Sequence, residues 1–244
     1  MEIIQLQDLT IPIVRTRKRK TVTIKINKAQ AQVHAPMGVA RSFIQEFVTS
    51  KARWIHKHVA AHQQRAQNSA AAAIKLHENT SIRLLGEQLW LRLVSHLPSP
   101  VERSGDSLLI RIQPHLPTEQ ALFLGVRAYV LQHGAHYCGA LAARYCEQLG
   151  VYPKRISIKE YRSRWGSCNA RKEVQFNWLI ALAPAKAIEY VVVHELCHLI
   201  HFNHSPAFWA AVGQLMPDYA VWRRWFTSYG DVLWNVLDLK QYVN

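Results

Sequence analysis

The residues best suited to chemistry lie in one short stretch, His194-Glu195-Leu196-Cys197-His198. Residues four apart on a helix share a face, so His194 and His198 can bind the same metal ion. Glu195 lies beside the same turn, where it can accept a proton from a metal-bound water. Two histidines and a glutamate in this spacing are typical of a hydrolytic zinc site.

The residues before this motif predict a helix. Pro184 suits the start of that helix, where no backbone N–H is needed. Ile188 and Val191–Val193 make the segment apolar and predict that it is buried. Ionisable side chains on a buried helix are costly unless they are paired or bind a metal. This context favours a metal site over two capped or surface histidines.

A catalytic zinc ion usually has three protein ligands and one open position, so the motif needs a third ligand. No glutamate follows Glu195 in the chain, which leaves histidines and aspartates as candidates. His204 follows His198 by six residues, the ligand spacing of H-E-x-x-H-x-x-G-x-x-H, with His201 in place of the glycine. We therefore expect His204 to be the third ligand.

His204 is expected to lie in a turn between two helices. Asn203 is expected to supply a left-handed turn residue, and Ser205-Pro206 to begin the next helix. His201 is the rival ligand, but seven helical residues place it roughly 10 Å along the axis from the first histidine, too far to share one ion. Asp218 ranks third.

Composition limits the class of protein. The chain has 244 residues and is 49% hydrophobic, which is enough for a real core. Its four cysteines form no C-x-x-C pair and suggest no disulfide framework, so reduced thiols are expected. No signal peptide and no apolar run of about 20 residues is visible, so we expect a soluble cytoplasmic protein with no membrane contact. The net charge of +14 favours anionic partners.

Residues 1–75 are expected to form a basic β-hairpin and a helix. Alternating apolar residues predict strands within 11–35, on either side of the basic run Arg15–Lys20. This run either protects a strand edge or binds phosphates. A helix is predicted from Gly38 to about Gln67, followed by a small-residue linker at 69–73.

Residues 76–244 are expected to form a second domain, with one continuous domain as the alternative. Strands are predicted at 81–85, 88–94, 107–112, 156–159 and 173–180, loops at 97–106 and 161–168, and helices at 118–149, 205–216 and 218–229. The strand at 173–180 is expected to offer an edge along which an extended peptide pairs. No internal repeat is evident in the sequence.

The chain resembles the YgjP-like metallopeptidase family, relatives of the zincins and of the SprT-like proteases. The C-terminal residues that carry the resemblance are Arg164–Cys168, Asn177-Trp178, Tyr190–His198, Asn203–Ser205, Phe208-Trp209 and Pro217–Tyr219. The N-terminal part is similar to the family at Ala35-Pro36, Ala52–Ile55 and Gly86. The likeness therefore spans most of the chain.

This resemblance implies an α+β fold, in which a small sheet packs on the active-site helix of a zincin-like core after the N-terminal hairpin and helix. It also implies a Zn²⁺ site made of His194, His198 and His204, with Glu195 as the catalytic residue. The expected reaction is peptide-bond hydrolysis by a zinc-bound water that Glu195 activates. Residues expected to contact the oxyanion or the substrate are Arg164, Tyr190, Arg162 and Asn177.

Two other functions remain open besides hydrolysis of a polypeptide substrate. The basic patches favour a protease that is recruited to nucleic acid, and salt-dependent binding would distinguish it. A nucleoside-triphosphate pyrophosphatase activity is also attached to the family. Against that activity, the chain has no glycine-rich phosphate loop and few carboxylates that could hold Mg²⁺. A non-enzymatic binding module is least favoured, because it would not need Glu195.

Overall fold

The structure is a computed structural model that describes residues 2–27, 29–71 and 76–236. The chain divides into two compact units, Met1–Ala72 and Ala73–Asn244. The first unit has one cluster of buried apolar side chains, and the second has two. No helix in the described ranges has an apolar stretch long enough to cross a bilayer.

The first unit is a four-stranded sheet followed by two helices. Its elements are β1 (Glu2–Leu6), β2 (Leu9–Thr16), β3 (Thr23–Asn27), β4 (Gln30–Pro36), α1 (Arg41–Ser50) and α2 (Ala52–Ala71). The strand order is β1-β2-β4-β3, with two antiparallel hairpins joined by the parallel pair β2 and β4. Alternate side chains such as Ile4, Ile11 and Val33 are fully buried against Ile44 and Ile55 of the helices.

Two predictions for this unit are corrected. The first strand predicted within residues 11–35 begins earlier, at Leu9, and it pairs with β1, which was not predicted. The single helix predicted from Gly38 is two helices. The backbone N–H of Lys51 bonds to the Val48 carbonyl at 3.1 Å, three residues back, and this tight turn ends α1 before α2 begins.

Within residues 76–236, the second unit holds two sheets and four α-helices. The strands are β5 (Ser81–Leu84), β6 (Glu87–Val94), β7 (Val101–Ser104), β8 (Ser107–Arg111), β9 (Arg155–Lys159), β10 (Gly166–Cys168) and β11 (Glu173–Asn177). The helices are α3 (Thr118–Leu149), α4 (Ala185–Cys197), α5 (Pro206–Leu215) and α6 (Tyr219–Val236). This mixture confirms the α+β class.

The four-stranded sheet of the second unit has the same topology as the sheet of the first. Its strand order is β5-β6-β8-β7, again two antiparallel hairpins joined by a parallel central pair, here β6 and β8. In the chain, the last strand of each four-stranded sheet is followed by a helix, α1 after β4 and α3 after β8. The chain therefore contains a repeated topology that was not evident in the sequence.

The helix α3 links the parts of the second unit. Its 32 residues contact β7 and β8 of one sheet, β9 of the other, and α4. The helix ends at Gly150, whose φ of 66° is the left-handed conformation common at helix C-termini. Its predicted bounds of 118 and 149 are confirmed.

Four predictions for the second unit are corrected, three of them in the three-stranded sheet beside α4. Its order is β10-β11-β9, so β11 is the central strand and has no free edge for a peptide. β11 also stops at Asn177, short of the predicted end at 180, because the next five residues form a 3₁₀ helix, Trp178–Leu182. The predicted loops at 97–106 and 161–168 contain the short strands β7 and β10.

Candidate metal centre

Helix α4 places the motif in the interior of the second unit. Val191, Val192 and Val193 are 0–3% exposed, because the helix is covered by α3, α5, α6 and β11. His194 and Glu195 lie in its last turn. His198 is the C-cap residue, with φ −69° and ψ −12°, so it keeps helical geometry and the i, i+4 relation to His194.

The turn after α4 brings a third histidine back to the first two. The backbone N–H of His201 bonds to the Cys197 carbonyl at 2.9 Å and closes the helix end. The Asn203 side chain accepts a hydrogen bond from the Ser205 N–H at 3.2 Å, and Ser205 Oγ accepts one from the Phe208 N–H at 3.4 Å. The Ser205-Pro206 start of the next helix is confirmed.

Asn203 corrects the expected turn mechanism. It does not adopt a positive φ, and neither does His201. The side-chain hydrogen bond of Asn203 to Ser205 reverses the chain instead, as an asparagine can without a left-handed residue.

The three imidazoles converge. One ring nitrogen from each of His194, His198 and His204 lies within 4.8 Å of the other two. The Nε2 atoms of His194 and His204 are 3.0 Å apart. Nitrogens around a tetrahedral zinc ion are about 3.3 Å apart, given Zn–N bonds of about 2.0–2.1 Å. The donor set therefore fits a small tetrahedral cation, and no second group of three such side chains converges among the residues described.

Hydrogen bonding and packing orient these rings. His198 Nδ1 lies 2.8 Å from the His201 carbonyl, and a proton on this nitrogen leaves Nε2 free to face the other histidines. The ring of Phe208 packs against His194, His198 and His204 at centroid distances of 4.9, 4.5 and 4.8 Å. Phe208 is fully buried and so limits the rotation of all three rings.

The two rival ligands have other contacts. His201 contributes its backbone carbonyl to His198, and its side chain is outside the convergent group. The Asp218 carboxylate accepts a hydrogen bond from Trp222 Nε1 at 2.7 Å and is also outside the group.

Burial favours the neutral form of two of the histidines, His194 and His198. Burial, and then the charges of His198, His204 and Arg223, lower the pKa of His194 to about 3. Burial also lowers the pKa of His198. Neutral imidazole is the form that binds metals, so these two side chains need lose no proton to do so at neutral pH.

Glu195 is 6% exposed and lies against the backbone of Gly166. A Cβ added to Gly166 would stand 2.7 Å from Oε1 of Glu195, so only glycine fits at this point of β10. Burial raises the pKa of Glu195 to about 8, while the positive charge of Arg164 acts in the opposite direction. A carboxyl group that titrates near neutral pH suits proton transfer in both directions.

Asn177 holds the segment that carries Arg164 and Gly166. It is fully buried, and its side-chain amide donates hydrogen bonds to the carbonyls of Tyr161 and Arg164, both at 3.0 Å. Its side-chain oxygen accepts a hydrogen bond from the Leu179 N–H at 3.2 Å. These bonds occupy the Asn177 side chain, so it orients the loop from within the fold.

A cavity of about 390 Å³ opens onto His194 and Glu195. Two of the predicted contact residues, Arg164 and Tyr190, line it. Arg162 is exposed and is not part of this lining. The remaining lining residues were not predicted to contact the substrate: Trp165, Gly166, Val191, Arg223, Phe226 and Thr227.

Three of these unforeseen residues lie on α6, at positions 223, 226 and 227. The signal for them was the run of aromatic and basic residues at 222–226, since aromatic and arginine side chains are common in binding sites. The sequence did not show that this face of α6 lies beside the histidines.

Comparison with known proteins agrees with this geometry. The model of the YgjP-like family, metallopeptidase domain, matches residues 20–229. Searches of the curated proteins and of the solved structures found no match. The family match covers most of the chain and includes the three histidines, Glu195 and the cavity residues. The chain therefore belongs to the YgjP-like metallopeptidase family.

Proposed function

We propose that the protein hydrolyses peptide bonds in a polypeptide substrate with a zinc ion held by His194, His198 and His204. The observation that carries this proposal is the convergence of three imidazoles beside a buried carboxyl group at the wall of an open cavity. Three histidine ligands favour zinc and leave one coordination position open. Bound zinc would supply the Lewis acidity that activates water and polarises the substrate carbonyl.

Glu195 is the proton carrier of the proposed reaction. Its carboxylate accepts a proton from the attacking water and then donates that proton to the leaving amine. The pKa near 8 supports both steps, because the group gains and loses a proton readily around neutral pH. Gly166 keeps the carboxyl group in place by leaving room for it against β10.

Tyr190 and Arg164 are the proposed partners of the developing oxyanion. Both line the cavity beside Glu195. Burial raises the pKa of Tyr190 to about 12, so its phenol remains protonated and can donate a hydrogen bond. Arg164 would add a positive charge at the same cavity.

An extended substrate is proposed to pair along β10. β10 is an outer strand of its sheet, whereas β11 is enclosed between β10 and β9. β10 also begins at Gly166, next to Glu195. A peptide hydrogen-bonded to this edge would lie beside the carboxyl group that moves the proton.

Cleavage of an unfolded protein by the zinc-loaded enzyme tests the proposal. We expect Glu195→Gln to retain zinc and to lose at least about a hundredfold in turnover, the usual value of general acid–base catalysis. Full activity in this variant would contradict the proposed role. If neither protein cleaves any polypeptide, hydrolysis of nucleoside triphosphates should be measured next.

The charge of the first unit supports a second proposal, that the enzyme also binds nucleic acid. Residues 1–72 contain twelve lysines and arginines against three acidic residues. The Arg15 guanidinium forms an ion pair with the Glu2 carboxylate at 3.0 Å and donates a hydrogen bond to the Val39 carbonyl at 2.7 Å. Arg17, Lys18 and Lys20 remain exposed on the connection between β2 and β3. Binding of DNA that weakens as the salt concentration rises would support this proposal.

A further inference from the structure

Two arginines from separate elements enter the cavity that contains the candidate metal centre. Arg164 precedes β10, and Arg223 lies on α6. We infer that this pair recognises a carboxylate of the substrate, on an acidic side chain or at a chain end close to the scissile bond. The inference rests on the proposed function, because it adds a substrate preference to the same site.

Aromatic stacking holds Arg223 near the histidines. Its guanidinium carbon lies 4.4 Å from the centroid of the Trp209 ring. The Trp209 ring stacks in turn on His204 at 5.7 Å and on Tyr219 at 5.5 Å. A guanidinium stacked on an aromatic face keeps its N–H groups free to bind a ligand at its rim.

Arg223 reaches the site. It lines the same cavity as His194 and Tyr190. A ligand held by Arg223 would therefore lie close to the reacting carbonyl.

Arg164 is anchored through its backbone and lies beside Tyr161. Its backbone carbonyl accepts a hydrogen bond from the Asn177 side-chain amide at 3.0 Å. Its guanidinium carbon lies 5.6 Å from the centroid of the Tyr161 ring. The guanidinium is exposed, and its charge acts on Glu195. Neither Arg164 nor Arg223 forms an ion pair with an acidic side chain in the described part of the chain.

The balance of charge in the cavity favours an anion. Glu195 is the only acidic side chain among the described residues of the lining. Two guanidiniums thus face the cavity against a single carboxyl group. Arginine binds carboxylates with paired, charge-assisted hydrogen bonds, and complementary charge of this kind gives specificity more than raw affinity.

A carboxylate fits this cavity better than a polyphosphate does. Nucleotide phosphates usually bind together with Mg²⁺, which needs carboxylate ligands. Among the described residues that line the cavity, Glu195 is the only one with a carboxyl group. Trp165 and Phe226, whose ring centroids are 5.0 Å apart, make part of the wall apolar. A peptide side chain or chain end offers both apolar surface and a carboxylate.

Metal-binding probes of matched shape test the inference without requiring turnover. Hydroxamates that carry a terminal carboxylate on two to five methylene groups are compared with the corresponding terminal amides. Their dissociation constants are measured on the zinc-loaded full chain by calorimetry. We expect the best carboxylate probe to bind about tenfold more tightly than its amide, the value of one or two charge-assisted hydrogen bonds at an exposed site.

Arginine variants assign this preference. Arg223→Ala and Arg164→Ala should each reduce the carboxylate preference to less than about threefold, and Arg223→Ala should leave amide binding nearly unchanged. Arg224→Ala and Arg171→Ala remove exposed arginines outside the cavity and should keep the full preference. Equal binding of carboxylate and amide probes by the wild-type protein, or an unchanged preference in both cavity variants, would overturn the inference.

Two further arms separate the alternatives. Tripolyphosphate is tested in the same way. If it binds more tightly than every carboxylate probe and loses affinity in both cavity variants, the site recognises phosphate and the carboxylate assignment is wrong. Peptides with glutamate or glutamine beside the scissile bond, and with free or amidated C-termini, identify the source of the carboxylate. A carboxylate preference without any peptide cleavage would support the anion site and reject the proposed peptidase, whereas binding by no hydroxamate would reject the metal centre and the inference together.

Discussion

At the residue scale, the site depends on groups whose charges are suppressed by burial. His194 and His198 are neutral because charged imidazole is costly in the core, and the same burial raises the pKa of the adjacent Glu195. One environment thus prepares the two imidazoles for metal binding and Glu195 for proton transfer. The order of residues in H-E-x-x-H permits this, because the helix presents all three within one turn.

Zinc content distinguishes the two downstream histidines. We expect His204→Ala to lose most of its zinc, because its Nε2 lies 3.0 Å from that of His194. His201→Ala should keep its zinc, because His201 contributes only its backbone carbonyl, which the variant retains. The metal-to-protein ratio after dialysis measures both effects. Normal zinc in the His204 variant would point to a different third ligand.

The interactions of the buried Glu189 carboxylate predict that the free energy of unfolding falls in acid. The side chain is 5% exposed, lies 2.7 Å from Lys186 Nζ and accepts a hydrogen bond from the Tyr145 hydroxyl. Burial raises the pKa of Glu189, but the hydrogen bonds from Lys186 and Tyr145 outweigh burial, so the folded-state pKa lies below 4.5. A carboxyl group with a lowered pKa in the folded state stabilises the fold at pH values above its pKa in the unfolded state. This stabilisation is lost as the pH falls through the pKa of the folded state.

The corresponding measurement is urea unfolding between pH 7 and pH 2. Glu189→Gln should lower the free energy of unfolding by about 1–3 kcal/mol at pH 7, the cost of a lost charged hydrogen bond. Near pH 2 it should differ little from the wild type, because the carboxyl group is then protonated. Glu147→Gln, at an exposed position on α3, serves as the control. Equal losses at both pH values would show that Glu189 acts through packing alone.

At the element scale, β10 and α4 define each other's positions. β10 was predicted as loop, since three residues with a glycine carry little strand signal. Its pairing with β11 places the Gly166 backbone against Glu195. The spacing along one helix is local and readable from the sequence, whereas contact between a strand and a helix 30 residues away depends on packing.

Gly166→Ala tests this contact. A Cβ 2.7 Å from Oε1 should displace the Glu195 carboxyl group, so we expect turnover to fall at least about tenfold, as small misplacements of catalytic groups do. Zinc content should not change, because no histidine is touched. Gly139→Ala on α3 meets no atom within 4 Å and should stabilise the protein by about 0.5–1 kcal/mol. Wild-type turnover in the Gly166 variant would show that β10 adjusts without cost.

At the scale of the whole molecule, the net charge is unevenly distributed. Residues 1–72 carry a net charge of +9 of the total of +14, in less than a third of the chain. The three convergent histidines and Glu195 all belong to the second unit, so the candidate metal centre includes no residue of the basic unit. This separation supports a role for the first unit in binding an anionic partner.

Replacing Arg17, Lys18 and Lys20 together by glutamine should weaken DNA binding. Each lost phosphate contact should reduce the slope of log K against log salt by about 0.9, so up to about 2.7 for three. Fluorescence anisotropy of a labelled duplex at several sodium chloride concentrations measures this slope. The matched control replaces three exposed basic residues of the second unit, Lys154, Lys159 and Arg171. Equal slopes for both triple variants would remove the special role of this basic run.

The sequence by itself determined the chemistry-bearing residues and the helices that carry them. The i, i+4 spacing, the Ser205-Pro206 helix start and the long helix 118–149 depend on local backbone geometry, which neighbouring residues dictate. The family also followed from the motifs, and the match over residues 20–229 confirms it.

Only the tertiary structure decided which distant residues share the site and how the strands are ordered. Arg223 lies beside His194, and Gly166 lies behind Glu195. β11 is enclosed between two strands, and two sheets repeat one topology. These features arise from long-range packing and parallel strand pairing, where residues far apart in the chain meet and no local pattern records the partner.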